Sequence, residues 1–89
     1  VTKIVRKLRI KNPSGLHTRP ATAIVKLLRT AQSSASFTYN KETVNAKSVM
    51  SLLMLAATQH ALITVEMEGE DAEEVMHRLS DLFENRFGE

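Results

Sequence analysis

Eighty-nine residues are enough for one domain and too few for two. Apolar residues at 43% allow a real core, an aliphatic one, because Phe37, Tyr39, Phe83 and Phe87 are the only aromatics. The absence of cysteine excludes disulfides, thiol catalysis and Cys-ligated zinc, and the net charge of +2 conceals a lopsided chain. Residues 1–41 hold nine Lys/Arg and no acid, while residues 42–89 hold three Lys/Arg and ten acids. If the fold keeps these halves apart, one face is basic and attracts anionic partners; if it interleaves them, the charge only solvates the surface. The opening "VTKIVRKLRI" carries charge where a secretory signal needs an apolar run, and the apolar stretch from Val49 to Ala57 is too short to span a bilayer. A soluble, cytoplasmic protein without membrane insertion is expected, with residues 1–89 forming a single domain.

In chain order, residues 2–10 read as a strand with Ile4, Leu8 and Ile10 on one side. After the turn Asn12-Pro13-Ser14-Gly15, a helical stripe begins with Ala21, Ile24, Val25 and Leu28, and Lys26 and Arg29 fall on the opposite face. "ASFTYN" alternates at Ala35, Phe37 and Tyr39, and "ETVN" pairs back onto it across Asn40-Lys41. "SVMSLLMLAA" reads as a short helix, apolar nearly all round. "LITVEME" alternates with Ile63, Val65 and Met67 inward. Ala72, Val75, Met76, Leu79, Leu82 and Phe83 draw the stripe of a last helix, with Asp71, Glu73 and Glu74 placed to suit the dipole at its start. The order β-α-β-β-α-β-α, with one wet side on each strand, predicts an α+β two-layer fold: an antiparallel sheet with three helices covering one face.

The stretch "SGLHTRPAT" joins the first strand to the first helix and puts His17 at or just before a helix N-terminus. Backbone N–H groups without intrahelical partners gather there and favour anions. Pro20 fits the first turn because its missing N–H is one of those orphans, and Gly15 lets the chain turn sharply. Arg19 supplies a cationic fork suited to phosphate, and Thr18 and Ser14 bring hydroxyl donors. His17 is a candidate nucleophile. The helix terminus and Arg19 both disfavour its protonated form, and a neutral imidazole is what phosphoryl attack requires. Once phosphorylated, the same groups would stabilise the new negative charge. The plainer alternative is a turn histidine capping a helix beside a surface arginine.

Three glycines are too few for a Gly-rich phosphate cradle, and His60 and His77 lie far from His17 and from each other. No short-range metal pattern occurs, and no carboxylate precedes Glu42 to serve as a local base. A full enzyme site with its own cofactor is therefore not expected. A phosphorylatable histidine without nucleotide-binding parts implies that another protein supplies the phosphoryl group.

"SGLHTRPAT" together with "VNAKSVMSLLMLAA" resembles the HPr family, the histidine phosphocarriers of the bacterial phosphoenolpyruvate-dependent sugar phosphotransferase system, and the resemblance runs over essentially the whole chain. It implies an open-faced β-sandwich, a four-stranded antiparallel sheet covered on one side by three helices. It implies a carrier rather than an enzyme, with no cofactor or metal. His17 would take the phosphoryl group from Enzyme I and pass it to the IIA component of a sugar permease, with Arg19 and the backbone donor of Thr18 assisting. Ser48 would be the serine marked by an HPr kinase/phosphorylase, which adds negative charge to the docking face. Val49, Met50 and Leu53 would be partly exposed and touch partners; periodicity alone leaves them equally open to burial. Ser48 is also a good N-cap for the apolar helix whether or not it is phosphorylated.

Departures from the family pattern sharpen the expectations. Thr18 stands where alanine is usual and keeps the backbone N–H. His60 stands where a glycine often ends the second helix, which predicts either a left-handed histidine or a different loop. Ser51 replaces a frequent glycine of the kinase-regulated group. "SLLML" and "LFENRFGE" are also similar to the nitrogen-related paralogue, so a nitrogen-type or catabolite-repression-type regulator acting by protein binding is the alternative reading. A nucleic-acid-binding domain is disfavoured, because the chain lacks an RNP-like aromatic motif. No large apolar stripe is left over, and a monomer is expected.

Overall fold

The structure, a computed structural model, describes residues 2–89. Strand β1 (Lys3–Arg9) is followed by α1 (Thr18–Arg29), the hairpin β2 (Ser34–Tyr39) and β3 (Glu42–Asn45), α2 (Val49–Met54), β4 (Leu62–Glu68) and α3 (Ala72–Glu84). A single 3-10 turn, Arg86–Gly88, closes the described chain. The expected element order is borne out.

All pairings are antiparallel, and the strands lie in the order β1-β4-β2-β3. The register explains the core. Val65 pairs with Phe37, and Phe37 with Val44, so one row of the inner face is apolar from β4 to the β3 edge. Leu8 opposes Ile63, and Met67 lies between Ile4 and Ala35. Arg6 takes an inner-face position on the edge strand, where its guanidinium reaches Ser80 Oγ of α3 at 3.5 Å. The next row on the outer face is Lys7, Thr64, Thr38 and Thr43, and the Thr38 and Thr43 hydroxyls lie 2.7 Å apart.

The helices cover only the inner face. From α1 come Pro20, Ala21, Ile24, Val25 and Leu28; from α3 come Ala72, Val75, Met76, Leu79 and Phe83. Burying an aliphatic side chain of this size stabilises the fold by about 1.5–3 kcal/mol, so these two stripes carry most of the packing. Phe83 sits at the centre, its ring 6.1 Å from Phe37 and 5.0 Å from Phe87. The fold is the open-faced β-sandwich expected from sequence.

Two local features settle points that the sequence left open, and the end of the second helix falls earlier than expected. The second helix ends at Met54, well before His60, with Leu55 as its C-cap and Ala56 in the left-handed region at φ +53°. His60 is left-handed as well, at φ +76°, in the turn that leads into β4. Of the two alternatives open at His60 the left-handed one holds, and Ala56 adds a second left-handed residue to the loop. The charge halves also interleave on the sheet, because basic β1 lies beside acidic β4 and Lys3 Nζ comes within 3.6 Å of Glu66. The separation survives on α1, which has no acidic residue and exposes Arg19, Lys26 and Arg29.

Candidate functional site

His17 is the N-cap of α1, with φ −95° and ψ −169°. Its carbonyl accepts the first helical hydrogen bond, from Ala21 N–H at 3.0 Å. Thr18 and Arg19 follow in the first turn, and Pro20, third in the helix, carries no N–H. The N–H groups of Thr18 and Arg19 therefore have no partner within the helix, immediately beside the imidazole. The His17 side chain is 39% exposed. It makes no capping bond to the helix, so the plain capping role is not the one it plays.

The loop that carries His17 is fixed at both ends. Ile10 N–H donates to Ala61 O at 2.9 Å, and His60 N–H donates to Ile10 O at 2.6 Å. Gln59 Nε2 donates to Lys11 O at 3.2 Å, and Leu16 N–H donates to Ala57 O at 2.9 Å. Asn12, fully buried, donates from Nδ2 to Gly15 O at 2.7 Å, while Gly15 N–H donates to Asn12 O at 3.1 Å. That reciprocal pair closes the Pro13-Ser14 turn. The Asn12 Oδ1 is buried without a partner. A flipped amide would set oxygen against the Gly15 carbonyl, so the satisfied donor fixes the orientation.

One residue of the site carried no sequence signal. Glu89 comes back onto the loop, and its Oε2 lies 2.5 Å from His17 Nε2. No carboxylate precedes Glu42, as expected, and the one that reaches His17 lies 72 residues further along the chain. Glu89 holds its proton less tightly than an ordinary glutamate, chiefly because of the hydrogen bond from His17, with smaller help from Ser14 and Asn12 and against the effect of burial.

Ser48 is the N-cap of α2 and accepts Ser51 N–H on its Oγ at 3.2 Å, the structural role expected of it. On α2 only Leu52 is fully buried. Val49 and Leu53 are half-buried, and Met50 is 70% exposed. Met54, which sequence reasoning did not single out, is 72% exposed. Helix α2 packs against α1, so the exposed methionines and the basic face of α1 belong to neighbouring elements. His60 and His77 take no part in the His17 loop through their side chains; His77 faces Asp81 at 3.9 Å on α3. Among the described residues no group of three His, Cys, Asp or Glu is placed to hold a metal ion, and no helix is long and apolar enough to cross a membrane.

Comparison with known proteins agrees with this geometry. The family described as "PTS HPr component phosphorylation site" matches residues 4–85. The phosphocarrier protein HPr of Chlamydia muridarum is 51% identical over 80 residues, covering 90% of this chain and 77% of that protein. The crystal structure of HPr-C-His from Thermoanaerobacter tengcongensis superposes with a TM-score of 0.89 at 35% identity, covering 100% of this chain and 98% of that one. A phosphocarrier protein HPr from Bacillus anthracis gives 0.87 at 29% identity, over 93% and 99% of the two chains. A histidine at the first position before α1, a matching family and the same four-stranded, three-helix architecture together place the chain in the HPr family of the phosphotransferase system.

Proposed function

We propose that this protein is a monomeric cytoplasmic phosphoryl carrier. His17 accepts a phosphoryl group from a phosphorylated Enzyme I and hands it to a IIA component. The observation that carries the reading is the position of His17 at the cap of α1, exposed, with the open N–H groups of Thr18 and Arg19 at its side. Those donors and the Arg19 guanidinium would hold the phosphoryl oxygens, and developing negative charge is best stabilised by such fixed dipoles. A carrier needs no nucleotide pocket, because its donor already holds an activated phosphoryl group.

Val49, Met50 and Leu53, with Met54, form the contact surface for both partners in this reading. The charge on α1 favours an acidic partner, and steering by Arg19, Lys26 and Arg29 would speed encounter. Ser48 borders that surface. A phosphate placed on its Oγ by a kinase would lie at the start of α2, where the fold tolerates it, and would repel an acidic partner.

The test is intact-protein mass after incubation with Enzyme I and phosphoenolpyruvate, for wild type and His17→Ala. One acid-labile phosphoryl group on the wild type, absent from the variant, is the expected result. No labelling of wild type by an Enzyme I of proven activity would overturn the carrier reading.

A further inference from the structure

We propose that the free edge of β1 is a docking site for an extended acidic segment of a partner protein, which joins the sheet as a fifth strand and sets carboxylates against Lys3, Lys7 and Arg9. The site is separate from the His17 loop and does not depend on the carrier reading.

The register decides which backbone groups are open. Gly69 N–H donates to Thr2 O at 2.8 Å at one end of the β1–β4 ladder, and Ile10 N–H donates to Ala61 O at 2.9 Å at the other. No bulge interrupts the pairing between them. Backbone groups of a strand point alternately to its two sides, so Ile4, Arg6 and Leu8 turn theirs to β4, as Thr2 and Ile10 do. Lys3, Val5, Lys7 and Arg9 turn theirs the other way. β1 stands at the end of the strand order, so no strand meets that side. Among the described residues no turn or loop backbone hydrogen bond reaches those groups either. Such a row of unpaired N–H and C=O groups is where a further strand can add.

Charge selects the occupant. Lys3, Arg6, Lys7 and Arg9 are cationic, and β1 has no acid. A second copy laid along this edge would set cations against cations, which is unfavourable. An acidic strand meets opposite charge instead. Its outward side chains would face Lys3, Val5, Lys7 and Arg9, all exposed. Among the described residues Lys7 and Arg9 pair with no carboxylate, whereas Lys3 lies 3.6 Å from Glu66. The opposite edge of the sheet, β3, is only four residues long and begins with Glu42, so it offers neither the length nor the charge.

The edge also has depth. A cleft of about 350 Å³ opens beside it, between the Arg9 end of β1 and α3. Buried Leu8 and Phe83 give the cleft an apolar wall, and Lys7, Arg9 and Lys11 give it a cationic one. A residue added opposite Leu8 would point to the same side of the sheet as Leu8, into this cleft. Edge cations alone guard a sheet against self-association. A cleft for a side chain next to them is not needed for that purpose. The segment that fits therefore alternates, with acids on the side of Lys3, Lys7 and Arg9 and an apolar residue on the side of Leu8.

The test titrates the full chain with a blocked peptide of seven residues, the length of β1, alternating glutamate and valine. At saturation the amides of Val5, Lys7 and Arg9 should exchange roughly tenfold more slowly or better, while those of Arg6 and Leu8, already bonded to β4, should not change. The same peptide N-methylated on the nitrogens that face β1 keeps every charge but cannot pair, and it should not bind. Lys7→Glu, a change at an exposed position, should weaken binding by roughly tenfold, with an otherwise unchanged spectrum showing that the variant is folded. No binding of the first peptide, equal binding of the N-methylated one, or protection that ignores the alternation along β1 would overturn the inference. So would a dimer of the peptide-free chain that protects the same amides, because the edge would then belong to a second copy.

Discussion

A methyl group on Gly15 would stand 2.7 Å from the carbonyl oxygen of Ala57, the same oxygen that accepts Leu16 N–H at 2.9 Å. Gly15 is also left-handed, at φ +70°. The loop that presents His17 and the loop that follows α2 therefore meet backbone to backbone, with no room for a side chain. Gly15→Ala should lose about 3 kcal/mol of stability, combining left-handed strain with a backbone overlap that cannot relax by rotating a side chain. Denaturant unfolding measures it. A loss below that of an ordinary surface substitution would mean that the two loops can separate cheaply.

Acid should weaken the junction between α1 and β2. Asp71 accepts Gln32 N–H at 2.8 Å and Ser33 N–H at 2.9 Å, and it also takes the Ser33 hydroxyl. The Ser33 hydroxyl first, then the Gln32 amide, hold the Asp71 carboxyl below its ordinary value of 3.8. The folded state thus binds this proton more weakly than the unfolded state. Its stabilisation is complete above the unfolded value and fades as pH falls through the lower folded value. Asp71→Asn should flatten the acid limb of a stability-against-pH curve. An acid limb unchanged in the variant would assign the loss to other carboxylates.

How much of this was legible in the sequence follows from how local each signal is. Stripes such as Ala21, Ile24, Val25 and Leu28 fix a helix and its buried face from neighbours alone, and all four are buried. The Asn40-Lys41 hairpin was readable although it lacks glycine, and both residues are left-handed as a tight two-residue turn demands. His17 was legible because glycine, proline and arginine surround it in sequence. Non-local relations were not legible. That β1 lies beside β4 depends on a crossover, so the pairing of Lys3 with Glu66 could not be seen in the charge halves. Glu89 meets His17 across the whole chain through a left-handed turn at Arg86 and Phe87, and no spacing rule reports that. The short α2 was overread as reaching Ala57, because the apolar run continues past the point where Ala56 turns left-handed.

Ser48 combines a structural role with a proposed regulatory one, and substitutions separate them. Ser48→Ala removes the oxygen that receives Ser51 N–H and should cost about 1 kcal/mol. Ser48→Asp can still accept that bond and adds negative charge at the helix start, so it should retain most of the stability. The aspartate should nevertheless weaken binding to an acidic partner, which the alanine should not. Paired thermal unfolding and Enzyme I binding measurements check this. Equal binding by both variants would remove charge at Ser48 as a control on docking.

The strongest contrast lies within α2, where Leu52 has no exposed surface and Met50 and Met54 are 70% and 72% exposed. One six-residue helix thus divides two jobs between its sides. Leu52→Ala should cost about 2–5 kcal/mol, since it removes buried methyl groups from a packed site. Met50→Ala and Met54→Ala should change stability by less than about 0.5 kcal/mol, because neither side chain packs against the core to that degree. If these methionines form the docking surface, the same two substitutions should each weaken Enzyme I binding by roughly five- to tenfold, the scale of about 1–1.4 kcal/mol expected for a flexible apolar contact at an interface. Titration calorimetry of folded variants measures that loss directly. Wild-type affinity in both would move the partner surface off these two methionines.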